Sequence, residues 1–190
     1  MMANVSVGYE IDSVSSLNAT LGYHRYNLTN DGHPTTTMSG GPYGEGFSYG
    51  NFMKMKNLNQ SFTGSIDYQR FFNTARTHQL TVSYQLTHSP GHNENWSEFD
   101  SSNAAIPMDL TDRYSDDHPT TTEHTVQVDY SVPLAPQQIL NTGVKYLNRH
   151  NRADSKYYLS DVYSEGMSSD YRYRHNIGAA YAEYDAHWGN

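Results

Sequence analysis

The sequence contains no cysteine. Disulfides, thiolate catalysis and cysteine-ligated zinc are therefore excluded. Charge is also sparse: 17% of residues are charged, against about 25% in typical domains. Twelve basic residues face twenty acidic ones, for a formal charge of −8. No nucleic-acid partner is expected, because that role needs a basic face. Hydrophobic residues supply 36%, below the usual 45–50% or so. No run of 18 apolar residues occurs, so no membrane-crossing helix is expected. Met1-Met2-Ala3-Asn4 has neither a basic nor an apolar leader region. The leader of an exported protein would be expected upstream of this stretch.

Uncharged polar residues fill the gap. Asn, Ser and Thr number 16, 20 and 16, and Tyr alone contributes 17. Disorder pairs low hydrophobicity with high charge and few aromatics, whereas aromatics here reach 13%. A helical bundle would be rich in Ala, Leu, Glu and Lys. Tyr and Thr favour strands. At 190 residues, the expectation is one all-β domain or a piece of one.

An internal repeat sharpens this. Gly8-Tyr9 precedes Leu17-x-Ala19-x-Leu21-x-Tyr23. Asp67-Tyr68 precedes Leu80-x-Val82-x-Tyr84, and Asp129-Tyr130 precedes Leu140, Val144 and Tyr146. The leading tyrosines lie 59 and 62 residues apart, and Glu183-Tyr184 marks a fourth start. Each unit reads as a hairpin whose limbs alternate with period 2. Seven strands are expected, at about 4–11, 17–28, 58–71, 79–88, 121–132, 139–149 and 171–187. One face collects Val126, Val128, Tyr130 and Val132, the other Thr125, Gln127, Asp129 and Ser131. The last strand is ambiguous, since Ile177 and Tyr184 fall on opposite sides.

Short connections at Asp12–Ser16, Asn73–His78 and Pro133–Gln138 alternate with long ones at 30–56, 89–120 and 150–170. Long loops are uncommon in compact soluble domains. Their alternation with tight turns marks transmembrane β-barrels, whose strands need about 9–11 residues to cross. Tyr9, Tyr68 and Tyr130 precede each short turn, and Tyr23, Tyr84 and Tyr146 follow it. They are expected to form an aromatic ring near one rim, with apolar ring bodies in lipid and hydroxyls in water.

With Asp67-Tyr68-Gln69-Arg70-Phe71-Phe72, Leu80-Thr81-Val82-Ser83-Tyr84, Val128-Asp129-Tyr130-x-x-Pro133-Leu134, Thr142-Gly143-Val144-Lys145-Tyr146 and Ala179-Ala180-Tyr181-Ala182-Glu183-Tyr184, the chain resembles the outer-membrane β-barrel region of TonB-dependent receptors. The resemblance is to the outer membrane protein β-barrel family. It spans about residues 5–186 and implies a segment of an up-and-down barrel. Such receptors have about 22 strands and a plugged lumen, and no plug or TonB box is recognisable here. The resemblance implies location in the bacterial outer membrane and ligand uptake without catalysis. It also implies three partners: outer-membrane lipid, the remaining strands and plug, and TonB through a missing N-terminal part.

Chemistry-bearing motifs are weak. His118-x5-His124 and Asp116-Asp117-His118 form the densest histidine cluster, with His88-x3-His92 next. Strand ligands fall at i and i+2, and neither histidine pair has that spacing, so no metal is expected. Gly40–Gly46 lacks the Gly-Lys-Ser/Thr ending of a phosphate loop. No Gly-x-Ser-x-Gly elbow appears; neither an enzyme nor a cofactor is expected. Glu94, Trp96, Phe99, Asp116 and Asp117 share the stretch 89–120 and are the candidate ligand contacts of an external loop. Stacking of Trp96 or Phe99 on a sugar or peptide is weighed against a loop packing its own aromatics.

A second function fits the same pattern: a small self-contained β-barrel binding an apolar or sugar ligand. The two differ in facing. A soluble barrel turns its Val/Leu/Tyr face inward, and a membrane barrel turns it outward. In either case an open seven-stranded sheet exposes edges and an apolar face. Closure into a barrel, or self-association of the isolated sheet, is expected.

Overall fold

The computed structural model describes residues 1–40, 46–100 and 110–186. Residues 41–45 of the glycine-rich stretch, residues 101–109 of the stretch 89–120 and residue 187 of the expected last strand lie outside the described residues. Among the described residues nine strands form one antiparallel sheet: β1 (Met2–Asp12), β2 (Ser15–Gly32), β3 (Thr35–Met38), β4 (Phe47–Phe71), β5 (Gln79–Asp100), β6 (Arg113–Ala135), β7 (Gln138–Leu159), β8 (Val162–Tyr163) and β9 (Ser169–Ala186). The seven long ones follow a meander in the order β1-β2-β4-β5-β6-β7-β9. Short β3 and β8 fold back on β4 and β7. Among the described residues the only helical piece is a 3₁₀ turn at Glu165–Met167.

The tight turns are built by their own side chains. The Val14 amide donates to the Asp12 carboxylate at 2.8 Å. Asn73 Oδ1 accepts from the amides of Thr77 and His78 at 3.0 and 3.1 Å. Both are the local side-chain bonds that let Asp and Asn close turns. Ser160 and Asp161 both take positive φ, at 44° and 65°, the backbone that a two-residue hairpin requires.

The long connections are shorter than the sequence suggests. Paired strand runs through most of 30–56, 89–120 and 150–170, because β2, β4, β5, β6 and β7 reach 18–25 residues. Beyond the first ten or so residues polar side chains occupy both faces and apolar ones are scattered over both, so no hydrophobic period is left to reveal the strand. Pairing there rests on cross-strand hydrogen bonds such as Asn95 Nδ2 to Ser115 Oγ and Thr121 Oγ1 to Asn151 Oδ1.

The sheet has no core of its own. Among the described residues only Phe47 and Ser15 are buried. The chain exposes 12898 Å², against about 9,200 Å² expected for a compact monomer of this mass. Nor does the sheet close among the described residues, where β1 and β9 each pair on one side only. The expected closure is thus not made among the described residues.

Candidate functional site

Residues paired directly across antiparallel strands share a face, so the register sorts the sheet into two surfaces. Tyr9, Leu17, Tyr68, Val82, Val128, Val144 and Ala180 form one continuous rung, and Val7, Ala19, Ile66, Tyr84, Val126 and Tyr146 form the next on the same face. The opposite face carries Asn18, Asp67, Ser83, Gln127 and Lys145 on one rung. A hollow lies on this polar face, lined by Thr20, Thr63, Asp67, Ser83, Gln127 and Lys145. The sheet is therefore concave where it is polar and convex where it is apolar.

The apolar band is tilted across the rungs, as strand tilt in a barrel demands. On β2 it ends upward at Tyr23, on β5 at Leu86 and on β7 at Tyr146, which lies one rung closer to the short turns than Leu86. The tyrosines are consequently staggered across the band rather than gathered in the expected single ring: on β1 and β2 they stand at its two edges, while Tyr68 and Tyr84 occupy adjacent rungs in mid-sheet. Tyr9, Tyr68, Tyr130 and Tyr184 lie toward the turns, and Tyr23, Tyr84 and Tyr146 lie farther from them. Tyr9 pairs with Leu17 and Tyr23 with Ala3, six residues or roughly 20 Å along the strand. Tyrosines within and at the edges of an outward apolar band suit a lipid-facing barrel wall.

The concave face is a hydrogen-bonded polar lining. Arg149 Nη2 meets Glu123 Oε2 at 2.6 Å. Gln127 Nε2 donates to Asp129 at 2.9 and 3.1 Å. Tyr181 lies over Gly143 and donates its hydroxyl to Asp129 at 2.7 Å. A Cβ at position 143 would collide with the Tyr181 ring and the Asp129 carboxylate. The glycine of Thr142-Gly143-Val144-Lys145-Tyr146 is thereby explained as a seat for a neighbouring ring, which the sequence alone did not show. Farther from the turns, a second hollow is lined by Met53, Met55, Asn95, Ser97, Arg113 and Tyr157.

The five candidate ligand contacts all lie on strands, and they divide between the faces. Phe99 and Asp117 lie on the concave side, where Asp117 pairs with Asn93 and the Phe99 amide donates to Asp112. Glu94, Trp96 and Asp116 lie on the convex side. Glu94 accepts from the Tyr114 hydroxyl at 3.1 Å and meets Lys56 at 3.5 Å. Trp96 stacks on Tyr114 at 5.0 Å, with the Lys56 ammonium 4.6 Å from its ring. Burial, with Asp116 and Glu94 nearby, pushes the Tyr114 phenol up to about 12. Asp116 is held between His92 and His118, 2.8 and 3.1 Å away.

Comparison with known proteins places this wall. Residues 70–190 match the family described as outer membrane protein beta-barrel family. No curated protein matches. Among solved structures, the siderophore receptor PiuA from Acinetobacter baumannii overlaps with a TM-score of 0.55 at 12% identity, over 95% of this chain and 28% of that one. The ferric yersiniabactin uptake receptor FyuA from Yersinia pestis overlaps with a TM-score of 0.35 at 10% identity, over 95% of this chain and 34% of that one. The first likeness shows the fold, and the second is too loose to add to it. The chain spans about a third or less of either receptor. An open meander, apolar outside and polar inside, together with a family match over 121 of 190 residues, shows that the chain belongs to the outer membrane protein beta-barrel family and is a segment of an outer-membrane barrel.

Proposed function

We propose that the chain is a sector of the wall of a gated uptake channel of the TonB-dependent receptor kind, together with the strand extensions beyond the bilayer. The carrying observation is the inverted facing, with a hollow lined by Asp67, Ser83, Gln127 and Lys145 and a convex surface of Val, Leu and Tyr. A self-contained barrel with an apolar interior has the opposite facing. The unpaired edges of β1 and β9 are where the remaining strands of the parent barrel join, since an open edge templates further pairing. The concave polar lining faces the plug. TonB engages another part of the parent protein. Phe99, Asp117, Arg113 and the two methionines of the outer hollow contact the ligand on its way in.

The test is growth of cells lacking the parent gene on single sources of chelated iron, oligosaccharide or peptide, with and without a working TonB system. Loss of one nutrient in both strains supports the reading. Its restoration by the wild-type gene, but not by an Arg113→Glu variant displayed at normal level, assigns the hollow. If every nutrient is used as well as by the parent strain, the reading is overturned.

A further inference from the structure

We infer that His92, Asp116 and His118 form a binding site for a divalent transition-metal ion, with Zn²⁺ the best match, on the outward face beyond the lipid-facing band. This goes beyond the transport reading and does not depend on it. His92 lies on β5, and Asp116 and His118 lie on β6. The register puts His92 opposite His118, between the Pro90–Thr120 and Asn93–Asp117 rungs. Asp116 and His118 stand at i and i+2, the spacing at which strand side chains share a face. One donor atom from each residue lies within 4.8 Å of the other two. The Nε2 atoms of His92 and His118 are 2.8 and 3.1 Å from the same carboxylate oxygen, Asp116 Oδ1. Tetrahedral zinc with bonds of about 2.0–2.2 Å needs donors roughly 3.3 Å apart. A small adjustment of three side chains therefore admits the ion.

The donor set decides its chemistry. Two imidazoles and one carboxylate suit zinc or another borderline divalent metal rather than calcium or magnesium, which prefer oxygen cages. The side chains keep 24–47% of their surface exposed, which leaves room for a water as fourth ligand. Glu94 and Asp154 stand on the site's own rungs, paired with Asp116 and His118, and they offset the cations Lys56, Lys156 and Arg152 on the same face.

The location gives the ion work to do. Pro90 and Pro119, which lack backbone N–H groups, sit inside β5 and β6 beside this point. Among the described residues, the ladder between the two strands lapses across Gly91–Pro119 and His92–His118, resuming at Asn93–Asp117. The site lies six residues past Leu86, roughly 20 Å along the strand from the lipid-facing band, where no bilayer supports the sheet. An ion there staples β5 to β6 across the gap.

The test is zinc titration calorimetry, with cobalt absorption as second readout, on the chelator-treated parent barrel folded in detergent. The expected result is one zinc per chain and a tetrahedral cobalt spectrum. His118→Ala and Asp116→Asn each weaken binding about 100-fold or more, while His150→Ala, on the same outward face, leaves it unchanged. Folding of each variant is checked by its heat-modifiable mobility in cold detergent gels. If the wild-type barrel takes up no zinc at about tenfold excess, the site is a hydrogen-bonded His–Asp–His trio and the inference is overturned. Unchanged binding by a folded His118→Ala barrel also overturns it.

Discussion

Val82 and Ser83 are chain neighbours whose side chains enter different solvents, so a cation placed at each should have opposite consequences. Val82 sits on the convex face between Tyr68 and Val128. The rungs on either side of it carry Arg70, Leu80 and Tyr130, and Ile66, Tyr84 and Val126. None of these neighbours is a carboxylate; the acid on the Arg70 rung, Asp12, stands beyond Ser15 and acts on Arg70. An arginine at 82 must therefore be desolvated without a partner. On a barrel's lipid face near the midplane that costs about 2–4 kcal/mol, or about 30- to 900-fold in the folding equilibrium. Ser83 sits on the concave face between Asp67 and Gln127. An arginine there stays in a wet lumen beside an acid and should change stability by no more than about 0.5 kcal/mol. The assay is urea titration of the parent barrel folded into phospholipid vesicles, read by tryptophan fluorescence, with Val82→Arg and Ser83→Arg compared at equal slope. Equal costs, or a larger cost for Ser83→Arg, would refute the assignment of faces.

Three further outcomes follow from local geometry. Gly143→Ala should push Tyr181 off its seat, break its bond to Asp129 and cost about 1–3 kcal/mol; much of that cost should vanish in Gly143→Ala/Tyr181→Ala, measured by the same titration. Tyr114, outside the bilayer, should ionise near 12 rather than 10.0, so ultraviolet titration of Tyr114→Phe should lose absorbance change only at the alkaline end. Because its folded value is raised, its contribution to stability is complete below pH 10 and declines as pH rises toward 12. Asn73→Ala removes two amide acceptor bonds and the Nδ2 bond to Thr77; it should cost about 1–3 kcal/mol, whereas Asn73→Asp, which keeps the acceptor, should cost less.

The period-2 pattern at Val126–Val132 or Leu80–Leu86 was readable because only one face of those strands meets an apolar solvent. Asp12 and Asn73 announced their turns because a short polar side chain closes them locally. These signals were enough for an all-β meander with alternating connections and for its resemblance to outer-membrane barrels. The outer halves of β4 to β7 were not legible, since water wets both faces there and pairing leaves no alternation in composition.

Facing and assembly belonged to the tertiary structure. Period 2 says that Val82 and Ser83 diverge, but not which of them enters the hollow; the curvature of the whole sheet decides that. Sequence proximity placed Glu94, Trp96, Phe99, Asp116 and Asp117 together, and the pleat divided them between two surfaces. Conversely, His92 lies 24 residues from Asp116, and spacing within either strand gave no sign of their meeting. Only register, set by the whole β5–β6 ladder, brings His92 opposite His118 and turns two unremarkable strands into one cluster.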